Sequence, residues 1–257
     1  MRKVILVLAA FFGIARGAYA EGMLANPTAG QMYAQPEITA DLFPKMSRTF
    51  HGMNMSLMRA VGPAIEDYRA HYSPALHKGM QNFIKNLKEP LTSVHSILEL
   101  DFSNAAASIG RFAINTTIGI AGMMDVAGGM GLKRDSRRMA DTLGAWGAPM
   151  GGFFVLPLYA QTNTRDFAAG LAENIFDPMY LLIGVAPWLF LDLAGALLDL
   201  NDSYDFVMAT DESALDSYET FKTFYLQNRK KEMDRLAIFG ARPAEAGKTS
   251  SYDFDME

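Results

Sequence analysis

Cysteine is absent from all 257 residues, which excludes disulfide staples, thiolate metal sites and cysteine nucleophiles. Charge is sparse as well. Asp, Glu, Lys and Arg make up 20% of the chain against about 25% in ordinary soluble domains, while 50% of it is hydrophobic. An excess of positive charge is missing: the net charge is −5, so nucleic acid and electrostatic adsorption to anionic lipid are poor fits. Any affinity for a membrane must come from apolar burial. Long apolar runs are lacking too, because Val4–Ala15 is shorter than the roughly 20 residues a spanning helix requires. Catalytic signatures are equally scarce. There is no G-x-S-x-G turn for a serine hydrolase. His51, His71, His77 and His95 form no H-E-x-x-H pattern and have no partners at metal-ligand spacing, so no metal site is expected. Gly247-Lys248-Thr249 ends like a phosphate loop, but Arg242 stands where that loop needs glycine.

What is present divides the chain into four stretches. Residues 1–20 read as an export leader: Arg2 and Lys3 precede an apolar core, and Ala18-Tyr19-Ala20 makes an A-x-A cleavage site before Glu21. Its removal takes three positive charges and leaves about −8. Residues 21–46 form a polar arm punctuated by Pro27, Gly30, Pro36 and Pro44. Residues 47–239 carry helical periodicity, and 240–257 form a polar tail. Within the helical stretch, Phe50, Met53, Asn54, Leu57, Met58 and Val61 share one stripe, which Gly62-Pro63 is expected to end or kink. Further helices are expected over 65–71, 76–87, 91–100 and 103–115, the last capped by Ser103. Nine of the 22 glycines fall between Gly119 and Gly152 and predict short helices joined by tight turns. Asn163 and Thr164 are placed to cap a helix with Asp166 in its first turn. Asp211–Phe239 reads as one amphipathic helix with Arg229, Lys230 and Lys231 complementing its C-terminal dipole. Clear β alternation is absent, so the expected class is all-α.

The candidate site residues are polar groups within apolar surroundings. Arg111 and Asn115 lie four apart and share a helix face, followed by Thr116, Thr117 and Asp125. They read either as a cap and salt bridge holding glycine-rich turns or as a polar wall for a zwitterionic or anionic headgroup. The adjacent Arg165 and Asp166 pose the same choice. A buried Arg111 must have a partner. Trp146, Phe153, Phe154, Trp188 and Phe190 are the candidates for a membrane interface, where a ring and a polar N–H are both accommodated. The run Pro178–Leu191 contains no charge, and its length suits a core helix or an interfacial segment.

The motifs GMQNFIKNLKEP, RFAINTTIGIAGMMDVAG, DTLGAWGAPMGGFFVLP and TRD follow one another between Gly79 and Asp166, with further similarity over Phe50–Pro74. In order and spacing they resemble the MlaA (VacJ) family, the outer-membrane component of a retrograde phospholipid transport pathway. The resemblance implies a ring of short helices lying in the inner leaflet of the outer membrane. It also implies phospholipid as transported ligand with no cofactor, a porin trimer as scaffold and an MlaC-like periplasmic lipid carrier as recipient. It tips Pro178–Leu191 toward the leaflet, and it implies that Arg111 and Asn115 face a lipid passage. A lipid-acting hydrolase and a porin-associated structural adaptor are the competing functions. Members of that family typically bear a lipid-modified cysteine after the leader, whereas Glu21-Gly22-Met23 stands here. Export without acylation is therefore expected: the intact mass of protein from its native envelope should correspond to a start at Glu21 with no acyl addition. A full-length mass would contradict cleavage.

Overall fold

The computed structural model describes residues 40–177, 179 and 184–236, so the leader, most of the arm, part of the 178–191 run and the tail lie outside the described residues. Nine helices and one hairpin make up the described chain: α1 (Pro44–His71), α2 (Pro74–Leu87), α3 (Glu89–Leu98), α4 (Phe102–Thr117), α5 (Val126–Gly129), α6 (Met139–Ala145), β1 (Phe153–Leu156), β2 (Tyr159–Asn163), α7 (Thr164–Phe176), α8 (Val185–Ser213) and α9 (Ser217–Leu236). None of the described helices is long and apolar enough to cross a membrane.

One half of the molecule packs as water-exposed proteins do. On α1, Met55 and Met58 meet Val207 of α8 and Phe221 of α9, with Leu200, Tyr204, Phe206 and Met208 around them. Close approach of α1 and α8 depends on Gly62, where a Cβ would come within 2.2 Å of the Tyr204 hydroxyl. Of the two outcomes expected at Gly62-Pro63, an end or a kink, the end does not occur, and the helix runs on to His71 with Pro63 inside it. Pro63 lies on the exposed side, where the carbonyl its ring leaves unbonded can be hydrated. The expected helix over 211–239 is also corrected. Ala214 to Asp216 interrupt it, and Leu215 projects fully into solvent between α8 and α9.

The hairpin is the element that the all-α reading lacks, although the molecule is mostly helical. β1 and β2 pair antiparallel, with Phe153 opposite Asn163 and a register shift between Val155 and Leu156. Residues 40–42 add a short parallel bridge, in which Leu42 N–H donates to the Phe153 carbonyl and Phe153 N–H to that of Ala40, both at 2.9 Å. Phe153 and Val155 are buried against Tyr218 and Leu226 of α9, so Phe153, a membrane-interface candidate, belongs to the core instead. Its ring meets Tyr218 and Tyr225, which fixes it between hairpin and helix.

Asn54, buried on α1, clamps the hairpin turn across the fold. Its Nδ2 donates to the Leu156 carbonyl at 2.9 Å, and its Oδ1 accepts from Leu158 N–H at 2.8 Å. Leu158 is held at φ 59°, a left-handed conformation that a leucine adopts only when neighbours enforce it. Asn54→Ala leaves a donor and an acceptor of the turn unpaired. It should cost about 1–3 kcal/mol for each group that cannot reach water, read as a lower urea midpoint with the helical circular dichroism of the native state unchanged.

Candidate functional site

Helices α3 and α4 are built inside out. Every buried side chain of α3 is polar: Glu89, Thr92, Ser93, His95 and Ser96. The buried face of α4 holds Asn104, Ser108, Arg111 and Asn115, with Ala105 the single apolar member. The outward faces carry the apolar residues, Val94, Ile97 and Leu98 on α3, then Phe102, 64% exposed, and Ile109 on α4. The exposed apolar surface continues past the end of α4 through Ile118, Ile120, Met124 and Met130. Surface helices of water-soluble domains show the opposite arrangement.

Such an interior must pair every charge it buries. Arg111, 1% exposed, does this by crossing three elements. Its Nε donates to Glu89 Oε1 at 2.8 Å, its Nη2 to Asp125 Oδ1 at 2.8 Å, and its Nη1 to the Leu132 carbonyl. Arg134 Nε reaches the same Glu89 oxygen at 2.8 Å, so two arginines offset two acids. Asn115 completes the joint by donating to Asp125 Oδ1 at 3.1 Å and accepting from Ala127 N–H at 2.9 Å. Asp125 caps α5 by accepting from Gly128 N–H at 3.0 Å. Burial favours the neutral form of Asp125, but the bonds from Gly128, Arg111 and Asn115 outweigh it and hold the carboxyl below its ordinary range. The turn between α4 and α5 is tight. Ile120, Ala121 and Gly122 all have positive φ, and a Cβ at Gly119 would lie 2.4 Å from the Met124 carbonyl oxygen.

A second cluster joins α6, α7 and α9. Arg229 donates to Asp141 Oδ1 at 2.9 Å, and its Nε lies 2.7 Å from Asp166 Oδ2 as an ion pair whose N–H is not aligned on the oxygen. Arg165 bonds Asp166 through Nε at 3.0 Å and Nη2 at 2.9 Å, and the Ala148 carbonyl through Nη1 at 3.0 Å. Asn163 caps α7 through Asp166 N–H, as its position in the sequence implies, and also donates to the Tyr225 hydroxyl. A third cluster runs from Arg137 to Glu99 at 2.9 Å, with Thr142 donating to Glu99 and bonding His95. Burial pushes the Glu99 carboxyl up against the opposing bonds from Thr142 and Arg137.

The candidate residues fall in different settings. Arg111 and Asn115 share a face and are both sealed within a paired network, whereas Arg165, paired with Asp166, also lines an open cleft beside Gly144. Thr116 is exposed and accepts from Asn86 at 2.8 Å, while Asp125 keeps an exposed edge and Asp166 is half-buried. Among the interface candidates, Phe190 is 69% and Trp146 48% exposed, and Trp146 donates its indole N–H to the Leu98 carbonyl. Phe154 is half-buried on Phe167. Trp188 is 1% exposed, because its indole N–H donates to Asp177 Oδ2 at 2.9 Å and Lys88 lies over its ring. Glu89, Arg134, Asp141 and Arg229 escaped the sequence reading. Glu89 falls between the helices expected over 76–87 and 91–100, and Arg229 is read only as a dipole charge. Among the described residues no group of acids and histidines is arranged to hold a metal ion.

Fold and site together define a mostly helical protein with an ion-paired polar interior on one side, an apolar exterior, and no membrane-crossing helix among its described residues. The chain belongs to the family described as MlaA lipoprotein, whose model matches residues 39–232. It is 29% identical over 200 residues to an uncharacterized protein of Rickettsia bellii, covering 74% of this chain and 75% of that protein. It is 25% identical over 193 residues to the intermembrane phospholipid transport system lipoprotein MlaA of Haemophilus influenzae, covering 73% and 77% of the two chains. A solved structure described as "Structural basis for maintenance of bacterial outer membrane lipid asymmetry" matches in fold with a TM-score of 0.66 at 23% identity, over 76% of this chain and 99% of its own.

The second cluster generates a pH test. Despite burial, which favours the neutral acid, Arg138 and Arg229 lower the Asp141 carboxyl to about 2. A depressed acid stabilises the fold above its unfolded value near 4, and that contribution is lost as pH falls toward 2. The shift corresponds to about 2 kcal/mol. Asp141→Asn should flatten the stability profile between about pH 4 and pH 2 and lower stability at neutral pH by about 2 kcal/mol, since Arg229 keeps Asp166 as its second partner. Urea titrations across that pH range measure both.

Proposed function

We propose that this protein is a non-enzymatic phospholipid transporter seated in the periplasmic leaflet of the outer membrane. It takes mislocalised phospholipid from the outer leaflet and passes it to a periplasmic carrier, which maintains lipid asymmetry. The observation that carries this reading is the inverted α3–α4 pair, with Phe102 and Ile109 outside and Glu89, Arg111 and Asn115 inside. In water the exposed apolar side chains would be a liability, at about 25 cal/mol per Å² of apolar surface left unburied. In hydrocarbon they are satisfied, and the internal ion pairs meet the requirement that no charge face lipid. Helices too short or polar to span suit a protein that lies in one leaflet. The name of the Haemophilus relative supports a role in moving phospholipid between membranes.

Transport needs no covalent step: a headgroup moves along polar surface while its acyl chains stay in apolar surroundings. The exposed members of the candidate set, Thr116 and the open edge of Asp125, are the groups available to a passing headgroup at this end of the fold. Arg111 and Asn115 act behind them by fixing Asp125. A porin trimer as scaffold and an MlaC-like carrier as recipient belong to the same reading.

The test is a Phe102→Asp/Ile109→Asp double variant in a strain lacking the native protein. Both side chains face outward, so helicity should persist. Each charge in hydrocarbon costs about 2.5–3.5 kcal/mol, which should shift the protein from the membrane to the soluble fraction and abolish rescue of lipid asymmetry. A double variant that stays with membranes and rescues fully would refute the leaflet placement.

A further inference from the structure

An open cleft of about 320 Å³ lies between the C-terminal end of α6, the loop that follows it and α9. That is the size of a small-molecule site. Three features give it a chemical character. Its walls include the apolar side chains of Met150, Leu226 and Met233. Its shape depends on Gly144, where a Cβ would lie 2.0 Å from Met233 Sδ and 2.9 Å from Arg165 Nη1. Its rim carries Lys230 and Asp234, one helical turn apart on α9.

Those two charges differ from their neighbours. Arg165, which also lines the cleft, is committed to Asp166 and the Ala148 carbonyl, Arg229 to Asp141 and Asp166, and Arg235 to Asp135 and Glu232. Lys230 and Asp234 face the same cleft, yet neither forms an ion pair with the other or with any other described residue. A cation and an anion left apart on one rim, above apolar walls, complement a ligand with a cation, an anion and hydrocarbon in that order. The cleft also borders the inverted face: Trp146, exposed and bonded to the Leu98 carbonyl of α3, leads directly into Gly147 and Ala148 of the cleft wall.

Resting on the transport reading, we infer that this cleft binds the headgroup of a zwitterionic phospholipid bearing a primary ammonium. Lys230 holds the phosphate, Asp234 accepts N–H bonds from the ammonium, and Met150, Leu226 and Met233 receive the first carbons of the acyl chains. A quaternary ammonium has no N–H for Asp234, and a glycerol headgroup has no cation, so the rim selects phosphatidylethanolamine over both.

The test uses full-length protein in maltoside micelles, loaded from mixed micelles of phosphatidylethanolamine, phosphatidylcholine and phosphatidylglycerol with identical acyl chains. Bound lipid is counted by native mass spectrometry. Wild-type protein should favour phosphatidylethanolamine. Asp234→Asn should reduce that preference about two- to fivefold, the range for an exposed charge pair, without reducing phosphatidylglycerol binding. Lys230→Gln should weaken all three by a similar factor. Both residues are exposed, so folding is retained. Unchanged lipid ratios in Asp234→Asn, or unchanged occupancy in Lys230→Gln, overturn the cleft assignment and leave the transport reading standing. A wild-type protein that binds no phospholipid overturns both.

Discussion

The buried bond from Arg111 to Glu89 is the constraint on which the inverted half of this molecule depends. A guanidinium and a carboxylate removed from water lose several kcal/mol of hydration apiece, and only close, multiply bonded contact offsets the loss. Glu89 starts α3, Arg111 lies in the middle of α4, and Asp125 begins α5, so this one network ties three helices and the strained turn between the last two. The apolar exterior follows from it. Once the polar faces turn inward to pair, the Ile, Leu and Phe residues of α3 and α4 have no direction left but outward.

The periodicity of the sequence showed which residues share a helix face, but not which way that face points. Arg111 and Asn115 were legible as neighbours, and the caps at Asp125 and Asn163 were legible from their residue types and positions, whereas the cap expected at Ser103 is supplied by Asp101, which accepts from Asn104 N–H. Hydrophobic patterning assumes an aqueous exterior, and under that assumption polar residues should be outside. Composition hinted at the reversal, being half hydrophobic with little charge, yet composition has no address along the chain.

Other features were hidden because their causes are distant in sequence. FFVL is apolar at every position although only Phe153 and Val155 are buried, so its sequence lacks the polar alternation of a half-buried strand, and its turn is closed by Asn54, about a hundred residues earlier. Trp188 has the character of an interface residue, but Asp177 lies eleven positions back and captures its N–H. Arg229 sits among basic residues near a helix end, where a dipole explanation is adequate locally. Only the fold brings it to Asp141 and Asp166. In each case the local signal was genuine and a tertiary partner overrode it.

The molecule therefore combines two packing regimes in one chain. Around α1, α8 and α9 the interior is Met, Val and Phe, and the surface carries exposed ion pairs such as those of Arg48 with Asp216 and Glu219. Around α3 to α5 the order is reversed. The hairpin and the Arg229–Asp141–Asp166 cluster stand between the two regimes, and both their apolar and their charged contacts are buried. A chain with one regime would be either water-soluble or enclosed by lipid. With both, the molecule presents an apolar surface around α3 to α5 and a charged surface around α1 and α9, and the proposed seat at a membrane boundary rests on that contrast. Under that proposal a polar edge lies beside an apolar phase, the arrangement a phospholipid would need to leave a leaflet without exposing its chains.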